Sequence, residues 1–434
     1  MPRTRAEALW ETWTTLTDAE RVRRFKTLPT DQRDEFFLSL DPREQAQLLF
    51  ALPVKERRLW IRLLEPDDAT DLVQEAPAGE RSDLLSMLDE PTRAEVRALL
   101  AYAEDAAGGL MNPRYVRVRP DMTVGEAVRY VRRQAGLVET IYYVYVLDES
   151  QGLLGVCSLR ELFQGKEAQP IREVMHTDPV TVSEHSDQEA VARLYVEQDL
   201  LAIPVVDDQH RMKGIITFDD VADVVREEAT EDIQKAGGTQ ALEEPYLTVS
   251  LPALVKKRAL WLTVLFLGEM LTASAMTHFE GEIAAAVVLA LFLPLIISSG
   301  GNAGSQATTL VIRAMALGQV RLLDWWRVLR RELAAGILLG LTLAVFGMIR
   351  VVAWHTVAGA YGEHYVLLGW TVSVSVVCIV LWGSVAGSML PLALRSLGLD
   401  PAAASAPLVA TLVDVTGVVI YFSVASALLT GTLL

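Results

Sequence analysis

Five apolar runs, at residues 257–278, 283–315, 327–353, 365–394 and 402–431, constrain this chain more than any other feature of its sequence. Each exceeds the roughly 20 residues that an α-helix needs to cross a bilayer. In hydrocarbon every backbone N–H and C=O has to find its partner within the protein, so each run is expected to be helical. Charge placement orients the runs. Lys256, Lys257 and Arg258 precede the first, Arg321, Arg327, Arg330 and Arg331 surround the second connection, and Arg395 lies in the fourth. The first connection holds Glu280 and Glu282, and the third holds His355, Glu363 and His364. Positive charge marks the cytoplasmic side. The expectation is a multi-pass protein of the cell membrane with its N-terminus inside and its C-terminus external. The opening stretch "MPRTRAEALWETW" agrees, since it lacks the apolar core of a cleaved signal.

The residues before the first run have the opposite character. From Lys256 onward there are 10 Lys and Arg against 8 Asp and Glu, which leaves 29 against 47 in residues 1–255. An acidic soluble half therefore precedes a nearly neutral membrane half. That balance argues against nucleic acid and towards cations as partners. Cys157 and Cys378 fall in different halves and give no disulfide framework. There is no phosphate-binding loop, and "HSD" at His185–Asp187 is a tripeptide rather than a catalytic triad, so no enzyme is expected.

Two internal repeats organise the soluble half. Prolines at 29, 42, 53, 66 and 77 alternate in steps of 13 and 11, with leucines and phenylalanines at helical spacing between them. Each proline suits the first turn of a helix. The pattern predicts stacked helix pairs. A second repeat begins with "MNPRYVRVRPDMTVGEAVRYVRRQ" at Met111 and "MHTDPVTVSEHSDQEAVARLYVEQ" at Met175. Both copies continue into β-branched runs, and Asp148…Gly155 aligns with Asp207…Gly214. This order of strand, helix, strand, turn, strand and helix resembles a tandem pair of CBS domains, which implies a regulatory module. The expected domains are a helical-repeat N domain at 1–110, the CBS pair at 111–218, an acidic connecting helix and linker at 219–255, and a membrane domain of five transmembrane helices at 256–434. The fold class is multidomain, α and α+β.

In the connecting stretch "DDVADVVREEATEDIQKAGG", Asp220, Asp223, Glu227 and Glu231 recur every three or four residues, on one helical face. Like charges at that spacing destabilise a lone helix by a few tenths of a kcal/mol per pair. A solvated face and a cation-binding face both fit. The membrane half holds three GxxxG steps, Gly300/Gly304, Gly336/Gly340 and Gly383/Gly387, which permit close helix approach. Asn302, Gln306, Thr309 and Arg313 share one face of the second run, a stripe too polar to face lipid. In the fifth run Thr411, Asp414, Gly417 and Tyr421 form a narrow small-and-polar face. A carboxylate at mid-bilayer costs about 2.5–3.5 kcal/mol, so Asp414 is expected to line a polar pathway. Five spans with one acidic centre suit half of a two-fold pore. Two facing Asp414 carboxylates would be held together by a divalent cation.

A helical repeat, a CBS pair, an acidic helix and spans containing "GGNAGSQATTLVIRA" and "DPAAASAPLVATLVDVTG" together resemble the MgtE family of magnesium channels and transporters. The resemblance extends over nearly the whole chain. It implies a homodimer in the lipid bilayer that takes up Mg²⁺ through a pore between subunits. The family's pore aspartate falls on Asp414, with the Ala410 backbone nearby. Asn302, Gln306, Thr309, Thr411 and Gly417 would line the route. The resemblance also implies regulatory Mg²⁺ held by Glu35, Asp67 and Asp71 in the helical repeat, and by Asp187, Glu189 and Asp199 in the second CBS repeat. Asp220, Asp223, Glu228, Glu231 and Asp232 in the connecting helix, and Asp400 at the start of the fifth span, complete that set. A nucleotide in the CBS cleft is left open, and the residues do not specify one. Two departures stand out. Ala406 occupies a position that is Asn in some members. Glu269, in span one, stands where a small residue also occurs; as a pore-lining candidate it lines the route, or else it hydrogen-bonds to a neighbouring span. The functional expectation is a Mg²⁺-selective channel or transporter closed by cytosolic Mg²⁺. The alternatives are a broader divalent-metal channel passing Co²⁺ or Ni²⁺, and a non-conducting Mg²⁺ sensor.

Overall fold

The computed structural model describes residues 5–242 and 246–433. The first segment is a run of short helices: Asp18–Lys26, Thr30–Leu38, Pro42–Ala51, Val54–Ile61, Pro66–Glu75, Arg81–Met87 and Glu90–Leu99. They bury Trp13, Phe25, Phe36, Phe37, Leu49, Trp60, Ile61 and Leu72 in one core. Pro42 and Pro66 fall in the first turn of their helices, as the repeat predicts, whereas Pro29 and Pro53 sit one residue earlier, at the N-cap. Pro77 lies ahead of the helix that starts at Arg81.

A second device shares the repeat's 24-residue period. The last carbonyls of a helix lack partners within it. Arg33 donates to the Leu28 and Lys26 carbonyls, at 2.9 and 3.3 Å. Arg57 donates to Leu52 and Phe50, at 3.1 and 2.8 Å, and Arg81 to Ala76 and Gln74, at 3.0 and 2.5 Å. Each guanidinium thus reaches the carbonyls five and seven residues before it and closes the preceding helix onto the next. Arginine suits this role because its fork presents several donors at fixed geometry.

The CBS pair forms two three-stranded sheets of identical order. Strands β1 (Tyr115–Val118), β2 (Thr140–Leu147) and β3 (Leu153–Ser158) make the first; β4 (Val182–Ser183), β5 (Ala202–Val206) and β6 (Met212–Thr217) make the second. In each, the first pair is parallel and the second antiparallel. The repeats exchange edges. Asn112 pairs with Ile215 of the second repeat, and His176 pairs with Val156 of the first. Gly155 and Gly214 permit the exchange: a side chain there would collide with the His176 or Asn112 carbonyl. Asp148 and Asp207 close the equivalent turns by accepting from backbone N–H groups two and four residues on. The aligned Asp…Gly register is therefore a turn followed by a close strand approach.

The connecting helix runs from Phe218 to Ala236. The chain packs as two units, residues 1–226 and 227–434, so the division falls inside this helix. In the second unit the described residues contain five helical segments long and apolar enough to span a membrane: Leu251–His278, Val287–Ala316, Leu322–Ala358, Tyr365–Ser396 and Ala406–Leu429. They correspond to the five apolar runs, here called spans one to five. The first and third are longer than their apolar stretches, because helix continues through the flanking charged residues. The second run is not one helix. It comprises Glu280–Ala285, Val287–Ala290 and Leu293–Ala316, with Ala286 out of helical geometry and Pro294 in the first turn of the last piece. Breaking a helix inside a membrane leaves carbonyls in need of donors. The buried Tyr421 hydroxyl donates to the Leu289 carbonyl at 2.9 Å. Tyr421 therefore serves the break and does not belong to an open polar face.

Glycines bring spans two, three and four into backbone contact. A Cβ on Gly383 would strike the Gly300 carbonyl, and one on Gly387 would strike that of Gly304. Gly336 and Gly340 lie against Leu381 and Val377. The Thr308 hydroxyl donates to the Gly387 carbonyl at 2.8 Å, locking the same crossing. Gly387→Ala is expected to lower stability in detergent by about 1–3 kcal/mol, since the obstruction is backbone and cannot rotate away. Thermal unfolding of purified protein checks this; an unchanged transition would mean that the helices separate at no cost.

Candidate ion pathway and cation sites

Span five packs on span two as Ser305, Gly304 and Gly301 descend past Ala406, Val409 and Ala410. The Ser305 hydroxyl donates to the Ala406 carbonyl at 3.2 Å, and Gly304 touches Val409. Gly301 leaves room beside Ala410 and the Asp414 carboxylate, whose Oδ1 lies 3.7 Å from where a Cβ would be. Asp414 is half-buried, as are Ala410 and Thr411. Gly417 is buried against Ile379 and Ile297. Of the small-and-polar face of span five, the part at Thr411 and Asp414 is open and the part at Gly417 and Tyr421 is packed.

Span one reaches the same place. Gly268 lies against the Thr411 side chain, 2.6 Å from where a Cβ would be, so Glu269 arrives at the level of Asp414. The two carboxyl groups are close enough there to repel each other. Like charges so close favour a cation between them. Asn302, Gln306 and Thr309 are exposed along span two. Thr309 bonds only back to its own helix, at the Ser305 carbonyl. The stripe thus presents amides and hydroxyls outward from the unit.

In the first unit, carboxylates gather around Asp67, which is buried with 7% of its surface exposed. The buried Asn112 amide donates to Asp67 at 3.1 Å and to Glu139 at 2.7 Å, holding two like charges through one group. Burial pushes Asp67 well above the usual carboxylate range, and the charges of Asp220, Asp68 and Glu139 add to it. Burial likewise pushes Glu139 up to about 7, with Asp220 and Glu65 adding. Asp220 is also raised to about 7 by burial and by Asp219, against the lowering effect of Thr217, whose hydroxyl donates to it at 2.8 Å. Asp68 faces Asp219, Glu65 and Asp223. Oxygen donors of this kind suit a hard divalent cation.

Other expected ligands are placed elsewhere. Glu35 is exposed on helix Thr30–Leu38. Asp187 caps the helix Gln188–Gln198, Glu189 pairs with Arg193 at 2.7 Å, and Asp199 ends that helix with a left-handed backbone. Asp223 pairs with Arg226 at 2.8 Å. Asp71 lies on the same helix as Asp67, and Glu228 and Asp232 lie on the connecting helix with Glu231. Among the described residues no three His, Cys, Asp or Glu side chains form a ready coordination set. Sequence reasoning missed Asp68, Glu139 and Asp219. Asp68 and Asp219 are direct neighbours of named residues. Glu139 directly precedes β2, far along the chain from Asp67, and only the fold brings it in.

The raised carboxyls carry a pH consequence. In the folded chain they hold protons at pH values where the unfolded chain has lost them, so stability falls as pH rises from about 4 to about 7. In EDTA, the unfolding temperature of the full-length protein's soluble half should therefore fall across that window. Millimolar Mg²⁺ should reduce the fall by replacing the protons. A melting temperature in EDTA that is flat with pH would show that these groups are solvated.

Five membrane-length helices that keep a carboxylate beside an outward polar stripe, joined to an acidic CBS-containing half, define a membrane cation transporter. The family model described as "Divalent cation transporter" matches residues 293–424, the "MgtE intracellular N domain" model matches residues 4–105, and the CBS model matches 107–166 and 171–227. The chain is 47% identical over 346 residues to the magnesium transporter MgtE of Thermus thermophilus, covering 80% of this chain and 75% of that protein. It is 35% identical to the MgtE of Enterococcus faecalis, covering 76% and 71%. The solved cytosolic domain of the Mg²⁺ channel MgtE in complex with ATP is 42% identical, with a TM-score of 0.48, and the match covers 51% of this chain and 91% of that one. The chain belongs to the MgtE family.

Proposed function

We propose that this protein conducts Mg²⁺ across the cell membrane as a homodimer, with its acidic half in the cytoplasm and Asp414 as the central ligand of the route. The observation that carries the reading is Asp414 itself, a half-buried carboxylate in a span, beside the space that Gly301 leaves and next to a second carboxyl, Glu269. The outward stripe of Asn302, Gln306 and Thr309 supports a second copy or a water-filled route against it, because lipid cannot satisfy such groups. Mg²⁺ keeps much of its water and takes one or two carboxylates. One Asp414 from each copy, with the Ala410 carbonyls nearby, suits a hydrated ion. Glu269 adds a carboxylate that lines the same point.

Regulation follows from the cluster around Asp67, Glu139 and Asp220. When cytosolic Mg²⁺ is high, the ion offsets repulsion among these carboxylates and favours the compact, closed form. When it falls, repulsion opens the cluster and, through the connecting helix, the pore. The ion has to bind the closed form better than the open one for this to work. Uptake into liposomes of purified protein, with Co²⁺, Ni²⁺ and Ca²⁺ as competitors, tests the function. Mg²⁺ uptake that the competitors barely reduce is expected; equal uptake of Co²⁺ or Ni²⁺ would make it a general divalent-metal route.

A further inference from the structure

The family resemblance makes Glu231 and Asp400 metal ligands, yet a side chain of the protein already lies between them. Lys235 Nζ is 2.5 Å from Glu231 Oε1 and 2.8 Å from Asp400 Oδ2. The Lys235 side chain is one third exposed, so the bridge is partly sheltered from solvent. Asp400 is fixed from its other side, where Oδ1 accepts from the Ala402 N–H at 2.8 Å and begins the turn that precedes span five. Lys235 is in the last turn of the connecting helix, where a cation is favoured by the exposed carbonyl ends.

The surroundings converge on this bridge. Gly238, with φ of +74°, lets the chain turn against the Trp261 indole and Pro407. Trp261 Nε1 donates at 3.1 Å to the Ser405 hydroxyl, which itself caps span five. Gln234 receives the Leu242 N–H at 2.6 Å, and Lys257 Nζ reaches the Ala241 carbonyl at 2.5 Å. The end of the connecting helix, the linker and the starts of spans one and five thus meet within a few residues, and the link from the connecting helix to Asp400 is ionic.

We propose that Lys235 is a tethered cation that latches the connecting helix to the start of span five, so that this contact forms without a metal ion. The latch occupies the carboxylates that a divalent ion would otherwise need. Without the ammonium, Glu231 and Asp400 face each other as like charges, and the contact becomes dependent on a divalent cation.

The test is limited proteolysis of full-length protein in lipid nanodiscs, scored at residues 227–242, in EDTA and in millimolar Mg²⁺. The wild-type segment is expected to resist cleavage in both. Lys235→Gln should be cleaved roughly fivefold faster in EDTA, in keeping with a partly exposed ionic bridge. It should regain wild-type resistance in Mg²⁺, a rescue that a merely packing side chain would not give. Lys235→Arg should behave as wild type, which shows that charge rather than fold is at stake. Adding Asp400→Asn to Lys235→Gln should abolish the rescue. Wild-type resistance of Lys235→Gln in EDTA, or failure of Mg²⁺ to restore it, would overturn the latch.

Discussion

Asp414→Ala is expected to abolish Mg²⁺ flux, by about a hundredfold or more, while the protein stays folded. A hundredfold loss corresponds to about 2.7 kcal/mol of barrier. The fold should tolerate the change for a structural reason. Among the described residues Asp414 caps no helix and accepts from no backbone N–H; its neighbours are Gly301, Ala410 and Glu269. Removing it also relieves the repulsion of Glu269. Uptake by reconstituted Asp414→Ala protein, with size-exclusion and thermal unfolding as controls, checks this. Glu269→Gln should keep the span contact, since an amide still bonds, but should alter the preference among Mg²⁺, Co²⁺ and Ni²⁺. Unchanged flux and selectivity in Glu269→Gln would return Glu269 to a packing role.

The second large effect is expected at the acidic cluster. Asp67→Asn, Glu139→Gln and Asp220→Asn together should leave the channel open at Mg²⁺ concentrations that close the wild type, moving the closing midpoint about tenfold or more. Each substitution keeps an oxygen for the Asn112 amide or the Thr217 hydroxyl, so the hydrogen bonds survive while the charges go. The triple variant should also be more stable than wild type in EDTA, because like charges no longer crowd a buried site. Mg²⁺ should then add little to its stability. A wild-type closing midpoint in this variant would place the Mg²⁺ sensor elsewhere.

Much of the architecture could be read from periodicity. Spans are long apolar runs, and the CBS copies share an Asp…Gly register, so both are local signals. The glycine steps were visible too, and Gly300, Gly304, Gly383 and Gly387 do meet across two helices. The break at Ala286 was not legible, since apolar composition continues through it and only the Tyr421 hydroxyl shows that a carbonyl needed a donor. The 24-residue arginine device at 33, 57 and 81 was present in the sequence but masked by the prolines. The cation sites were harder. Asp414 announces itself as a charge in an apolar run, whereas Glu139 joins Asp67 through a pairing between residues far apart in sequence, bridged by Asn112. The Lys235–Asp400 bridge is not legible in the sequence, because the two residues lie far apart along the chain and only the fold joins them.

In the function proposed above, Mg²⁺ crosses at Asp414 under control of Mg²⁺ on the acidic side. Current across a planar bilayer holding the purified protein, with Mg²⁺ as the only permeant cation and Mg²⁺ titrated separately on each face, measures it most directly. A Mg²⁺ current is expected that falls as Mg²⁺ is raised in the millimolar range on the face bearing residues 1–226, with no such fall from the other face. No Mg²⁺ current above a protein-free bilayer, or equal inhibition from both faces, would contradict it.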